Sequence, residues 1–182
     1  MFDFLGSSAA ILAYYLFTFF AIEAALVIAW GQWQRSDSFR AYRLVIAFVG
    51  LTILRMMLFF LAFIGSLAPE IAAFWIPPLE RVVSICSAGF LVWGFTPYFR
   101  ENGFTGNILL ATNTVFAFLF YFLAVFLWTG PDFNQSGWDL FFVGWQIVLV
   151  LFGAINCATS FDDERTFAFF GFMTLFAGYL LH

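Results

Sequence analysis

Charge is scarce in this chain, and lysine is absent. Charged residues make up 10% of its 182 residues, whereas a soluble domain carries roughly 25%. All seven basic residues are arginine. So little basic charge argues against binding of nucleic acid through a basic surface, and a chain without lysine cannot form a retinal Schiff base.

Residues that bind metals or act as nucleophiles are also few. The one histidine, His182, is a poor candidate for a metal or haem ligand because such sites need further ligands or a buried axial position. Cys86 and Cys157 lie in apolar segments at different predicted depths, so we expect two buried thiols and no disulfide. No metalloprotease, nucleophile-elbow, phosphate-loop or Cys-x-x-Cys motif occurs. We therefore expect neither an enzyme nor a bound cofactor.

Apolar residues dominate instead, since 64% of the chain is hydrophobic, with 30 phenylalanines and a mean hydropathy of +0.96. A segment of about 20 apolar residues is long enough to cross a bilayer as a helix. The sequence therefore predicts an all-α membrane protein, a bundle of six transmembrane helices in a single domain, residues 1–182. The predicted spans are residues 8–30, 42–67, 78–95, 107–128, 138–159 and 166–182.

Proline and aspartate residues mark the ends of several spans. The pair Pro77 and Pro78 predicts the start of the third span, because proline in a first helical turn loses no needed hydrogen bond. Pro97 after Thr96 predicts its end. Asp162 or Asp163 is the predicted N-cap of the sixth span.

Loop arginines predict the orientation of the bundle. They concentrate after the first, third and fifth spans, at Arg35, Arg40, Arg43, Arg100 and Arg165. These loops are therefore predicted to be cytoplasmic, with the N-terminus outside, in a bacterial-type inner membrane. Tryptophans near the span ends fit an aromatic belt at the membrane interfaces; they are Trp30, Trp33, Trp75, Trp128 and Trp138.

Six spans from an outside N-terminus return His182 to the outside. A cytoplasmic output module would need a seventh span, so a truncated seven-helix bundle is one expectation. A short accessory subunit that ends at His182 is the other.

Glu23 and Arg55 are the most informative polar residues, because each lies deep inside a predicted span. A charge near the bilayer centre costs at least ~2.5–3.5 kcal/mol on insertion scales. The first two spans are joined by a short loop and are therefore antiparallel neighbours. We expect an ion pair or a water-bridged pair, which either fixes helix packing or responds to a ligand.

Other polar residues complete a candidate ligand-binding or polar node. Glu80 and Arg81 are predicted to open the third span, either as a capping and interfacial pair or as the rim of an outward-facing pocket. Asn113, with its threonine neighbours, Gln146 and Asn156 are expected to form hydrogen bonds between helices. The candidate set is Glu23, Arg55, Glu80, Arg81, Asn113 and Gln146.

The phenylalanine-rich segments predict the partners of the chain. They are typical of lipid-facing or packing surfaces more than of a pigment or quinone site. The expected partners are the lipid bilayer, other membrane helices in a homo-oligomer or a larger complex, and a hydrophobic small molecule. Nucleic acid is not among them.

Two segments carry a family resemblance. IPPLERVVSICSAGFLVWGF, residues 76–95, and FMTLFAGYLLH, residues 172–182, resemble the multi-span membrane regions of bacterial sensor histidine kinases. In that family a seven-span region precedes GAF or PAS modules and a kinase. The resemblance implies a sensory role, although this chain lacks the seventh span and the output modules.

Three functions remain open from the sequence. The first is a membrane-embedded sensory region that responds to a hydrophobic ligand or to the state of the membrane. The second is a non-catalytic accessory or structural subunit of a larger, energy-transducing membrane complex. The third is a small transporter or channel, which would need flux that depends on Glu23 or Arg55; the prolines, however, are predicted at span ends and not at mid-membrane.

Overall fold

The computed structural model confirms the all-α architecture. It describes residues 8–67, 69–130, 132–159 and 163–180, and within them no strand occurs. Six long helices form the bundle: α1 Ser8–Ser36, α2 Phe39–Leu67, α3 Pro69–Phe95, α5 Gly103–Leu127, α6 Gly137–Ala158 and α7 Asp163–Leu180. A four-residue helix, α4 (Tyr98–Glu101), precedes α5, and a short 3-10 turn, Phe133–Gln135, precedes α6.

Helix length and composition support a multi-pass membrane protein. Five of the described helices, α1, α2, α3, α5 and α6, are long and apolar enough to cross a membrane. The sixth, α7, is shorter, and its apolar part covers Thr166–Leu180. The predicted cap Asp162 lies outside the described residues, as does His182. The outside N-terminus stays a prediction.

A two-residue turn joins α1 to α2 and defines what we call the hairpin end of the bundle. Asp37 closes the turn with a φ of 46°, a left-handed conformation that aspartate adopts more readily than most residues. The Ser38 hydroxyl accepts a hydrogen bond from the backbone N–H of Ala41 at 3.3 Å, which is N-cap geometry for α2. The two helices are therefore antiparallel neighbours, as predicted.

The predicted start of the third span at Pro78 is wrong. α3 begins at Pro69 and carries Pro77 and Pro78 inside it, so only Ala68, outside the described residues, separates it from α2. Each proline removes one backbone donor, but its fixed φ suits a helix. Membrane helices tolerate such interruptions where neighbouring groups satisfy the freed carbonyls. Glu80 and Arg81 consequently lie three turns inside α3 and not at its start.

α3 is the central helix of the bundle. It packs against α2, α5 and α6, whereas α1 packs mainly on α2 and α7 mainly on α6. The core follows from this arrangement: the α3 side chains of Val82, Ile85, Cys86 and Val92 are fully buried. Both cysteines are buried in that core, and neither forms a disulfide.

Aromatic packing closes the end of the bundle opposite the hairpin. Trp128, predicted as part of an interfacial belt, is buried there. Its ring stacks on Phe74 with centroids 5.5 Å apart and meets Phe133 edge-on at 5.3 Å. Trp128 therefore anchors the α5–α6 connection to the start of α3 and does not face lipid.

Candidate functional site

A buried ion pair joins α3 to α6. Arg81 Nε donates to Asp139 Oδ1 at 2.5 Å, and the two side chains are 13% and 10% exposed. Asp139 lies in the first turn of α6, where its backbone N–H donates to the N-cap hydroxyl of Ser136 at 3.2 Å. A carboxylate in a first turn is favoured by the helix dipole. The start of α6 therefore favours the charged form of Asp139 that pairs with Arg81.

Two amide side chains attach α5 and α6 to the backbone of α3. Gln146 Nε2 donates to the Arg81 carbonyl at 3.3 Å, and Asn113 Nδ2 donates to the Ile85 carbonyl at 3.4 Å. Because the two acceptors are four residues apart, they lie on successive turns of one α3 face. The predicted interhelical hydrogen bonds of Asn113 and Gln146 are therefore formed. The acceptor oxygens of both amides are buried without a partner among the described residues.

Gly89 makes room for one of these contacts. A Cβ atom added at Gly89 would lie 2.5 Å from Asn113 Nδ2, closer than any real contact. A side chain at residue 89 would therefore push the Asn113 amide away from its position against the α3 backbone.

Of the other predicted interhelical bonds, that of Asn156 is not formed, whereas Thr114 on α5 forms a side-chain hydrogen bond with Cys86 on α3 in addition to its local bond. Asn156 Nδ2 donates to the Phe152 carbonyl at 2.8 Å, and Thr114 Oγ1 donates to the Leu110 carbonyl at 2.9 Å. Each acceptor is four residues earlier on the same helix, a local bond that Ser, Thr and Asn side chains readily make.

Glu23 pairs with a different residue from the one predicted. Its Oε1 accepts a hydrogen bond from Thr52 Oγ1 at 2.9 Å, and among the described side chains no ion pair joins Glu23 to Arg55. The hairpin register explains the difference: Glu23 lies thirteen residues before the end of α1, and Thr52 lies thirteen residues after the start of α2. Arg55 lies three residues beyond Thr52, about 4.5 Å further along the axis.

The buried Nε atom of Arg55 has no hydrogen bond of the kind that joins Glu23 to Thr52, and it has no partner among the described residues. Since Thr52 and Arg55 are three residues apart, they lie on neighbouring positions of one α2 face. We call Glu23, Thr52 and Arg55 together the α1–α2 node.

Arg43 connects the start of α2 to the end of α3 through hydrogen bonds. It is 3% exposed, and its guanidinium donates to the carbonyls of Trp93 and, at 3.5 Å, Thr96. The guanidinium carbon also lies 5.3 Å from the centre of the Trp93 ring, within cation–π range. A cation at these terminal carbonyls is favoured by the helix dipole.

Sequence reasoning missed Arg43 and Asp139 as structural partners. Arg43 was interpreted only as a loop arginine that sets orientation. The sequence did contain a signal for the Arg81–Asp139 contact. The predicted third and fifth spans start at the same membrane face, which places Arg81 and Asp139 at similar depth.

A cleft opens at the hairpin end between α1, α2, the end of α3 and the start of α7. Its volume is about 650 Å³. Arg35, Arg40 and Gln32 contribute to its polar part, and Phe95 and Phe167 to its apolar part.

No cluster of three or more metal-ligating side chains occurs in the described part of the chain. Comparison of the chain with protein-family models, curated proteins and solved structures finds no match.

Proposed function

We propose that the protein is a membrane-embedded sensory region, in which a hydrophobic ligand or the state of the bilayer changes how α1 packs on α2. The proposal places it in a bacterial-type inner membrane with the N-terminus outside. The resemblance of residues 76–95 and 172–182 to sensor kinase membrane regions agrees with this role. The α1–α2 node is the observation that carries it.

The node offers two arrangements of similar geometry. In the first, Glu23 accepts from Thr52, as described above. In the second, Glu23 pairs with Arg55, whose Nε now lacks a partner. The two contacts are about 4.5 Å apart along α2, a distance that two long side chains and a small tilt of α1 can bridge.

α1 is the helix best able to move between these arrangements. Only 6% of its membrane-crossing part is buried in the bundle, against 56% for α3. α1 packs mainly on one neighbour, α2, whereas α3 packs on three helices. Fewer packed contacts therefore oppose movement of α1 than movement of α3, and elements that move in signalling are drawn from such less strongly held regions. A stimulus that favours one arrangement would shift the populations of both.

Spin-label distance measurements test this proposal directly. Labels at Val27 on α1 and Val115 on α5 would sit on exposed faces, while the native cysteines are buried. Thr52→Val removes the first arrangement and Arg55→Met removes the second. We expect the two variants to shift the distance distribution in opposite directions, and bilayer thickness to shift the wild type.

Asn156→Ala is the matched control for this experiment. Its amide bonds only within α6, so the distribution should stay as in the wild type. A distribution that is the same in all three variants and in thick and thin bilayers would overturn the sensory proposal.

A second candidate function rests on the same exposure of α1. As an accessory subunit of a larger complex, the protein would cover this helix with partner helices. A photocrosslinker at Val27 in native membranes distinguishes the two. Cross-linking to one protein in fixed stoichiometry supports the accessory subunit, and adducts with lipid alone support the sensor.

A further inference from the structure

We propose that the cleft at the hairpin end binds an anionic phospholipid, with its headgroup at Arg35 and Arg40 and its acyl chains along the apolar wall. This inference does not depend on the sensory function, because it concerns a separate surface and is tested by lipid binding alone.

The size of the cleft fits such a ligand. Its volume of about 650 Å³ lies within the ~300–1,000 Å³ typical of small-molecule pockets. Along α1 it extends from Ala25 to Ser36, which is about 16 Å at 1.5 Å per residue. One leaflet of the hydrocarbon core is about 15 Å deep. The cleft is therefore as long as one leaflet is thick.

The cleft is polar at one end and apolar along its length. Gln32, Arg35 and Arg40 lie near the α1–α2 turn, where a headgroup would sit at the membrane surface. Ile28, Leu44 and Phe48 line the part that lies deeper in the bilayer. A free anion would use only the polar end, whereas a phospholipid would use both.

Charge selects an anionic headgroup over a zwitterionic one. Among the described side chains that line the cleft, Arg35 and Arg40 are basic and none is acidic. Asp37, in the turn between Ser36 and Ser38, is the nearest acidic residue in sequence and is exposed. Arginines beside a membrane surface attract anionic lipids and bind phosphate through a planar set of donors.

The cleft also lies where a lipid can enter it. Phe167 on α7 is 80% exposed and Ile28 on α1 is 63% exposed, so the apolar walls face the bilayer. A lipid chain could therefore enter sideways from the bilayer, and helix packing would not have to open.

Native mass spectrometry of the protein from nanodiscs tests the proposal. The nanodiscs would contain equal amounts of phosphatidylglycerol and phosphatidylcholine, and the retained lipid would be counted. We expect retained lipid to be mainly phosphatidylglycerol. Arg35→Gln and Arg40→Gln should each reduce this preference about fivefold, from ~1 kcal/mol per arginine at the membrane surface.

Two further variants sharpen the assignment. Asp37→Asn removes the adjacent negative charge while asparagine keeps the left-handed turn, so the preference should rise. Arg55→Gln removes the same charge as the cleft variants but lies outside the cleft, so the preference should not change. Circular dichroism and thermal melting of each variant verify that it is folded.

Three outcomes would overturn the proposal. The first is equal retention of the two lipids by the wild type. The second is an equal loss of preference in Arg35→Gln, Arg40→Gln and Arg55→Gln, which would indicate a general charge effect. The third is displacement of the lipid by millimolar glycerol phosphate, which would assign the cleft to a free anion.

Discussion

Arg81 and Arg55 are both arginines inside membrane-crossing helices, but the two regions that hold them are built differently. Arg81 belongs to the α3 frame, which we define as α3, α5 and α6, and it is paired with Asp139 at 2.5 Å. Arg55 belongs to the α1–α2 node, where its Nε has no partner among the described residues. The same residue type is therefore ion-paired in one region, while in the other its buried Nε has no hydrogen-bond partner among the described residues.

The burial of the two regions follows the same division. The membrane-crossing part of α3 is 56% buried, and that of α1 is 6% buried. In the α3 frame the polar contacts come from two helices, α5 and α6, and converge on α3 at Arg81 and Ile85. In the node a single part-buried hydrogen bond joins two helices. Removing one contact at a time therefore compares the stability of the two regions.

Breaking the Arg81–Asp139 pair should have the largest effect. Arg81→Ala or Asp139→Ala leaves a buried charge without its partner, which typically costs about 3–5 kcal/mol. Reversible unfolding in mixed micelles, followed by tryptophan fluorescence, measures the loss. The double variant Arg81→Met with Asp139→Leu should recover most of it, because neither charge of the pair is then left without the other. A double variant as unstable as either single one would contradict the assigned pair.

Arg43→Gln should have the next largest effect, because the carbonyls of Trp93 in α3 and of Thr96 just after it lose a charged donor. Hydrogen bonds to charged groups contribute about 1.5–3 kcal/mol each when they are lost. The same unfolding assay measures the change. Arg35→Gln is the matched control: it removes an equal charge at the same end from an exposed position, and surface substitutions usually change stability by less than about 0.5 kcal/mol.

Gly89→Ala should destabilise the protein by about 1–3 kcal/mol, the usual cost of overpacking. The new Cβ would displace the Asn113 amide from the α3 backbone. Gly144→Ala on α6 is the control, because a Cβ there would meet no atom within 4 Å. Equal stability of the two variants would show that the Asn113 contact does not limit how closely α5 approaches α3.

Much of this fold could be predicted from the sequence, because span length and apolar composition are local properties. The interhelical roles of Asn113 and Gln146 followed from the same reasoning, since a buried amide in a membrane needs a partner. The start of the third helix was predicted wrongly from Pro77 and Pro78. Both prolines lie inside α3, because their fixed φ fits a helix that continues through them.

Contacts between helices that are distant in sequence could not be predicted in the same way. Arg81 meets Asp139 only because α3 and α6 pack together, and no local pattern fixes that neighbour. Glu23 is different, since counting residues from the hairpin turn places Thr52 at its level. That register was available in the sequence, but it depends on a turn of only two residues, Asp37 and Ser38.

The smallest change in stability is expected for substitutions in the α1–α2 node. Substitution of Arg55 there is the most direct comparison with substitution of Arg81. Glu23→Gln keeps a side chain able to accept from Thr52, and hydrogen bonds between membrane helices average only about 0.6 kcal/mol. Arg55→Met removes a guanidinium whose buried Nε lacks a partner among the described residues, and replaces it with an apolar chain of similar length. Such a replacement can be neutral or stabilising, so we expect no loss of stability in the unfolding assay. If Arg55→Met is instead as unstable as Arg81→Ala, Arg55 must hold a contact as strong as the Arg81–Asp139 pair. The node would then be a second rigid attachment, and α1 would not be free to respond to the membrane.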